Sequence, residues 1–597
     1  MDILFFPTEY KDKAILRKFD GELVDSIGDY EVYAKEATNR NHYLSKHDNV
    51  SNKVYVLWGN LYCSKDTSKN MMFENIIMHY ENNSLENIFE VDGEFIFACI
   101  DENGINILSD REGIMPIYYR IIDDKCIFTS RCELLFLDYT EDDIDTNSIN
   151  DFLRFGCLIG DRTMSKKVKL LQGGSIARYI NHKFFAERIY KFYYQEPAEN
   201  VDKLIDDVVE AYRSAIKKRI DGIEQETCVF LSGGMDSRFL LAEMNKVTTD
   251  RVHTYSFGQV LSEEVNVARE CAALENNPFS WIKVDPKDFV INASEYERMV
   301  CGADMFPQSY IIEAAKQIDK SHFITGFALD AYMGGTFLNE EAIKTDEKLS
   351  GFIKDNLKLA KMNVFSKNEL EQMCSNQDAK KIFSIDIEDL VREAERYDDI
   401  PVANAIQAFS IDNRAKHVVL WREIVPAKFL DCSYVSADRD FLKLCSKIPA
   451  EWRLNHKFYH KLFVDKEPEF AKIAYNNTTL PVLAPVEKWD EGTRNESRRE
   501  KQYEEIIREY NLTHLDKMYY THFYSDFNGY SRYDEAWQNL FQKYLLSEDS
   551  IVCRKWFDRE YINKLYAEHL SGEKNRRKEL TYLTSIEVFL RNMLVSK

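Results

Sequence analysis

Ser232-Gly233-Gly234-Met235-Asp236-Ser237 is the stretch whose residue types and spacing could do chemistry. The apolar, β-branched run Cys228-Val229-Phe230-Leu231 precedes it, and the apolar helix start Arg238-Phe239-Leu240-Leu241-Ala242 follows. A strand, a Gly-Gly turn and a helix in this order aim backbone N–H groups and the positive end of a helix dipole at an anion. The two glycines let the main chain approach the anion closely. Ser232 and Ser237 add hydroxyl donors. Asp236 would repel a bare phosphate, so it calls for a bridging cation. No lysine follows the glycines, so this is not a GxxxxGK[ST] loop. The competing reading is an ordinary Gly-Gly turn in a βα unit.

The elements around this loop must hold it at a sheet edge. Residues 201–220 carry Leu204, Ile205, Val208, Val209, Tyr212, Ala215, Ile216 and Ile220 at helical spacing, which predicts a helix leading into a strand at 227–231. Strands are predicted at Val252–Phe257, Ser280–Val284 and His322–Gly326, with helices at Glu263–Ala273 and Tyr310–Ile318 between them. That alternation predicts a parallel sheet with helices on both faces, and ligands bind such sheets beyond the carboxyl ends of the strands. Residues 1 to about 195 read instead as short strands broken by Gly, Asn and Asp turns, among them Val54–Gly59, Phe95–Ile100, Ile105–Asp110, Ile117–Arg120 and Cys126–Ser130. Residues 336 to about 400 read as charged helices. Glu496–Asn511 and Asn575–Met593 read as amphipathic packing helices.

With 597 residues the chain is too long for one core. Its net charge of -22 argues against a nucleic-acid or anionic-membrane binder. No apolar run reaches the length of a membrane span, and the N-terminus lacks the basic region of a signal peptide. The twelve cysteines show no CxxC pair, which fits reduced, buried thiols in a cytoplasmic protein.

The Ser-Gly-Gly-x-Asp-Ser loop resembles the pyrophosphate loop of ATP pyrophosphatases. Asp92-Gly93-Glu94-Phe95, Asp110 to Tyr119 and Phe128-Thr129-Ser130 resemble the N-terminal amidotransferase domain of the asparagine synthetase family. Gly160–Thr163, Leu171–Gly174, Tyr255–Gly258 with Ser262–Glu264, Thr325–Gly335 and Arg414–Ala450 extend that likeness. The resemblance implies an N-terminal nucleophile-hydrolase-like αββα sandwich at 1–195. It implies an adenine-nucleotide α-hydrolase-like, PP-loop α/β domain at 196–490, with a helical extension at 491–597. Leu231, Ser232, Gly233, Gly234, Asp236, Ser237, Phe257 and Gly326 would bind ATP, with the backbone of Phe257 reading the base. Asp236 and Asp330 would share Mg²⁺ over the phosphates. An isolated Asp330 could equally cap a helix.

Departures from the family bear on mechanism. The amidotransferase nucleophile is an N-terminal cysteine, and residue 2 here is Asp, so the resemblance implies a fold without glutaminase activity. Phe327 stands where relatives carry Glu or Tyr for proton transfer. Ala331 replaces a common Glu. Thr478 or Thr479 stands near the family's phosphate-stabilising lysine, for which Lys457 is the candidate substitute and Lys461 a second. Asp431 reads as a structural cap. The leading expectation is an AMP-forming amide ligase that activates a small-molecule or peptide carboxylate as an acyl-adenylate for attack by an amine, as in β-lactam synthetases and lasso-peptide cyclases. Asparagine synthesis from free ammonia, a non-catalytic ATP-binding partner protein, and activation of an oxygen or sulfur acceptor such as a tRNA base remain open. No nucleic-acid or membrane partner is expected, and homodimerisation is left open.

Overall fold

A computed structural model describes residues 2–10, 14–36, 42–63, 67–259, 262–336, 338–355, 364–384, 387–475, 480–491 and 525–594. Two six-stranded antiparallel sheets form the N-terminal part. The first runs Lys169–Leu171, Ile117–Ile122, Lys125–Thr129, Asp2–Pro7, Tyr30–Lys35, Glu22–Ile27. The second runs Lys183–Arg188, Ser175–Ile180, Gly104–Leu108, Gly93–Asp101, Lys53–Leu61, Tyr43–Asp48. They pack face to face through Phe5, Trp58, Ile96, Ile107 and Phe128, all buried. Helix Lys69–Glu81 covers the outer face of the second sheet with Phe73, Ile76 and Ile77 against Tyr55, Leu57 and Phe97. Ser68 caps that helix by accepting from the Met71 N–H.

The second part is built on five parallel strands in the order Phe279–Lys283, His253–Gly258, Thr227–Phe230, His322–Thr325, Asp431–Tyr434. Thr227–Phe230 lies at the centre. Helix Val201–Ile220 precedes it with the expected stripe buried, from Leu204 and Val208 to Tyr212, Ala215 and Ile216. Each fully buried aliphatic side chain of this kind adds about 1.5–3 kcal/mol.

Four of the five strands were legible in the sequence within a residue or two. The structure corrects the expectation that Asp431 is a cap. Asp431 opens the fifth strand, paired with His322, and its side chain is buried. The expected helix from Tyr310 ends at Ala315 rather than Ile318. The expected helix 496–511 and Thr478 and Thr479 lie outside the described residues.

Helix Arg577–Met593 is not a loose appendage. Leu583, Ile586, Phe589 and Leu590 are buried, and Phe589 meets Phe136 at 5.7 Å. Charged contacts bind the two parts. Arg219 lies 3.1 Å from Asp438 and 3.3 Å from Asp92, and Lys218 bridges the same two carboxylates at 2.5 and 2.7 Å. Among the described residues no helix is long and apolar enough to cross a membrane.

Candidate active site

The chain leaves the central strand at Phe230 and turns at once into the Gly-Gly loop and helix Met235–Val247. Here the hydrogen bonds explain the residue types. The Ser232 N–H donates to Ser237 Oγ at 3.0 Å, the two hydroxyls lie 3.0 Å apart, and the Gly234 N–H donates to Ser232 Oγ at 3.1 Å. The loop is thus closed on itself before any ligand arrives. Gly234 caps the helix, and no side chain accepts from its first-turn N–H groups. The helices starting at Val201 and Glu263 are, by contrast, capped by Asn200 and Ser262. The uncapped end leaves the donors and the positive dipole end for an anion.

Arg238, fully buried, braces the loop from behind. It donates to the Gly233 carbonyl at 3.0 Å and to the carbonyls of Phe470, Ile473 and Ala474 at 3.3, 3.2 and 2.8 Å. The sequence marked this residue only as part of a helix start.

The neighbouring strand His322–Thr325 delivers the second loop. Gly326 permits the approach of the two loops, because a Cβ there would lie 2.9 Å from Leu329 Cδ1 and 3.3 Å from the Asp236 carbonyl. Ala328 follows with φ +59°, an uncommon conformation for a residue other than glycine, and starts the short helix Leu329–Met333 that carries Asp330. The Asp330 N–H donates to Asp236 Oδ2 at 3.4 Å, and Thr336 Oγ1 donates to Asp330 Oδ2 at 3.1 Å. Burial pushes the Asp236 carboxyl well up, and Asp330 adds to this, with Tyr459 and the Asp330 N–H working the other way.

Both loops open into one cleft of about 430 Å³. Leu231, Ser232, Asp236, Ser237, Phe257, Gly326, Phe327 and Asp330 line it, whereas Gly233 and Gly234 are not among the lining residues. Phe257 packs edge-on against Phe230 at 5.1 Å. Lys457, the first residue of helix Lys457–Lys466, is not part of the cleft lining, and Lys461 pairs with Asp465 and Asp202 at 2.7 and 3.2 Å. The cleft brings in residues without a motif. Arg414, Arg422 and Glu423 line the same cleft as the phosphate-type loop. Arg414 sits on a wide π-helical stretch, Ile411–Val419, a departure from α geometry that is frequent at functional sites.

Among the described residues lining the cleft, Asp236 and Asp330 are the carboxylates carried by the two loops. No group of three or more His, Cys, Asp or Glu side chains able to hold a metal ion occurs among the described residues. Two facing carboxylates, one with its charged form strongly disfavoured, fit a hard cation whose remaining ligands come from a bound phosphate and water.

At the N-terminus, Asp2 is buried and bonded to Lys428, which arrives from the second part of the chain. Burial would raise the Asp2 carboxyl, but Lys428 together with the other positive charge around it, Arg131 included, outweighs this and holds the group at about 2. All twelve cysteines are free thiols, and Cys63 alone is not buried.

Comparison with known proteins places these features. Residues 65–192 match the glutamine amidotransferase domain model, and residues 207–335 match the asparagine synthase model. These two stretches of the chain are thus similar to the amidotransferase and synthase domains of asparagine synthetase-like proteins. "Asparagine synthetase [glutamine-hydrolyzing] 1" of Bacillus subtilis (strain 168) is 26% identical over 208 residues, a match covering 34% of this chain and 32% of that relative. The matched region is thus about a third of the length of that curated relative. Among solved structures, the allosteric regulatory enzyme of purine biosynthesis aligns over 47% of this chain and 74% of its own, with 10% identity and TM-score 0.21. Glutamine phosphoribosylpyrophosphate amidotransferase from B. subtilis aligns over 63% and 80%, with 11% identity and TM-score 0.19. The asparagine synthetase-like match contains both cleft loops, and the amidotransferase match contains the stacked sheets between Gly93 and Arg188.

Proposed function

We propose that this asparagine synthetase-like chain is an ATP-dependent, AMP-forming amide ligase with a PP-loop fold in its second part. One observation carries the reading: the Ser232–Ser237 loop and the Asp330 loop leave adjacent parallel strands and meet in a single cleft with Asp236 against Asp330. The uncapped helix at Met235 and the Ser232 and Ser237 hydroxyls would receive the pyrophosphate portion of ATP. Phe257 and Leu231 would flank the adenosine. Asp236 and Asp330 would hold Mg²⁺, which when bound neutralises phosphate charge. The α-phosphate would then face the wall of Arg414, Arg422 and Glu423, where a carboxylate could attack it and an amine could attack the resulting acyl-adenylate.

The amine would not come from glutamine. Asp2 offers no thiol, and its carboxylate is committed to Lys428. The test is release of AMP and pyrophosphate from ATP by the full chain across a panel of free amino acids, hydroxy acids and short peptides, with ammonium or alkylamines as acceptors. Stoichiometric AMP and pyrophosphate dependent on one carboxylate supports the ligase. ADP and phosphate as products, or no turnover with any acid while glutamine is hydrolysed, would overturn it. Asparagine formed from aspartate and ammonium would identify one particular ligase of this kind.

A further inference from the structure

Phe327 lines the cleft and cannot exchange a proton. The carboxylates available to the cleft are Asp236, Asp330, Glu264 and Glu423. The first two face each other at the loop junction. Glu264 belongs to the first turn of helix Glu263–Leu274, beyond the strand that ends at Phe257 and Gly258. Glu423 is differently placed. It stands on helix Trp421–Ile424 and lines the same cleft as Phe327.

Thr325 is a neighbour of both. The Phe327 N–H donates to Thr325 Oγ1 at 3.2 Å, and Thr325 lines the cleft together with Glu423. Phe327 itself is held by Ser436, whose hydroxyl donates to the Phe327 carbonyl, and by Tyr434, whose ring it meets edge-on at 6.3 Å. The groups around Glu423 are Arg422 on its own helix, Thr325 on strand His322–Thr325, and Cys432 and Tyr434 on strand Asp431–Tyr434, with Glu94 near the last two. Burial pushes the Glu423 carboxyl up to about 7, against the pull of Thr325 and Arg422. A carboxylate of that basicity is suited to accept a proton near neutral pH.

We propose that Glu423 is the catalytic base of the amide-forming step, taking over the proton transfer that Phe327 cannot perform. The inference rests on the ligase reading above. As the amine nitrogen bonds to the acyl carbon, the bond from that carbon to the AMP oxygen breaks and its electron pair leaves with AMP. An amine that arrives as an ammonium first gives one proton to the Glu423 carboxylate, which passes it to water, and after the attack the surplus proton on nitrogen takes the same route.

The experiment uses the full chain and Glu423→Gln, with ATP, Mg²⁺, the acid found in the screen above, and two nucleophiles compared. Hydroxylamine is uncharged at neutral pH and needs little base assistance, whereas methylamine arrives as an ammonium. The expected result is a fall of about 100-fold or more in the ratio of methylamide to hydroxamate for Glu423→Gln. The rise of methylamide formation with an apparent pKa near 7 in the natural chain should disappear at the same time. Equal losses with both nucleophiles, or an unchanged ratio and pH profile, would overturn the role of Glu423 while leaving the ligase intact. Failure of the natural chain to form any hydroxamate would instead remove the ligase reading and this role with it. Glu423→Asp should recover part of the ratio, which a purely structural defect would not do.

Discussion

Replacing Arg238 tests how the phosphate-type loop is held. Its guanidinium is fully buried and spans four main-chain carbonyls, one in the loop and three in the segment Phe470–Ala474. Arg238→Met keeps much of the packing volume and removes every donor. An orphaned buried acceptor costs about 1–3 kcal/mol, and four at the low end give about 4 kcal/mol. Release of a desolvated guanidinium returns part of this, so the net loss is about 2–4 kcal/mol. At about 2–4 °C per kcal/mol, the melting transition of the ATP-binding part should fall by roughly 5–12 °C. Arg238→Lys keeps the charge but loses the fork and should fall in between. Differential scanning fluorimetry reads the shift, and calorimetric titration with ATP and Mg²⁺ reads the loop. Because Gly233 loses its anchor, nucleotide affinity should drop at least tenfold in Arg238→Met. A melting temperature within about 1 °C of the natural chain, with unchanged affinity, would refute the assignment of Arg238 as the brace.

Other expectations follow from the buried charges. Asp236→Asn removes a disfavoured buried carboxylate beside Asp330, so the free protein should melt higher while the stabilisation given by ATP with Mg²⁺ disappears; a lower melting point without ligand would contradict this. Burial raises Glu94 to about 8, above its unfolded value, so its contribution is most favourable below pH 4.5 and is lost as pH rises towards 8, by up to roughly 5 kcal/mol. Glu94→Gln should therefore gain melting temperature relative to the natural chain between pH 5 and pH 8, and parallel profiles would contradict that. Asp2 is held at about 2, below its unfolded value, so its ion pair with Lys428 contributes above about pH 4 and is lost as pH falls through 2. Asp2→Asn should cost about 1–3 kcal/mol at pH 7 and little at pH 2, measured by urea unfolding, and neither protein should hydrolyse glutamine.

The cleft's first wall was legible because its chemistry is local. Ser232, Gly233, Gly234, Asp236 and Ser237 sit within six residues, between an apolar strand and an apolar helix start, and the hydrogen bonds they make are mostly to one another. The flanking parallel strands announce themselves as short apolar runs. The rest of the lining was not legible. Arg414 and Glu423 come from helices about 180 residues after the loop, and nothing in their spacing says that the π-helical turn lines the same cleft as the nucleotide loop. Strand Asp431–Tyr434 escaped notice because Asp-Cys-Ser-Tyr is neither alternating nor continuously apolar. Its pairing with His322–Thr325 spans about 100 residues, and His322 binds Ser433 Oγ across it at 2.9 Å. The outer strands of the stacked sheets, such as Glu22–Ile27 and Tyr43–Asp48, carry many charges and exposed positions. Their register comes from their neighbours rather than from their own pattern.

Calorimetric titration of the full chain with ATP and Mg²⁺, beside Asp236→Ala, tests the nucleotide cleft most directly. Saturable binding in the micromolar range by the natural chain, weakened at least 100-fold in Asp236→Ala, is the expected result. Absence of binding by the natural chain, or equal binding by both proteins, would contradict a cleft built around Ser232–Ser237 and the Asp236–Asp330 pair.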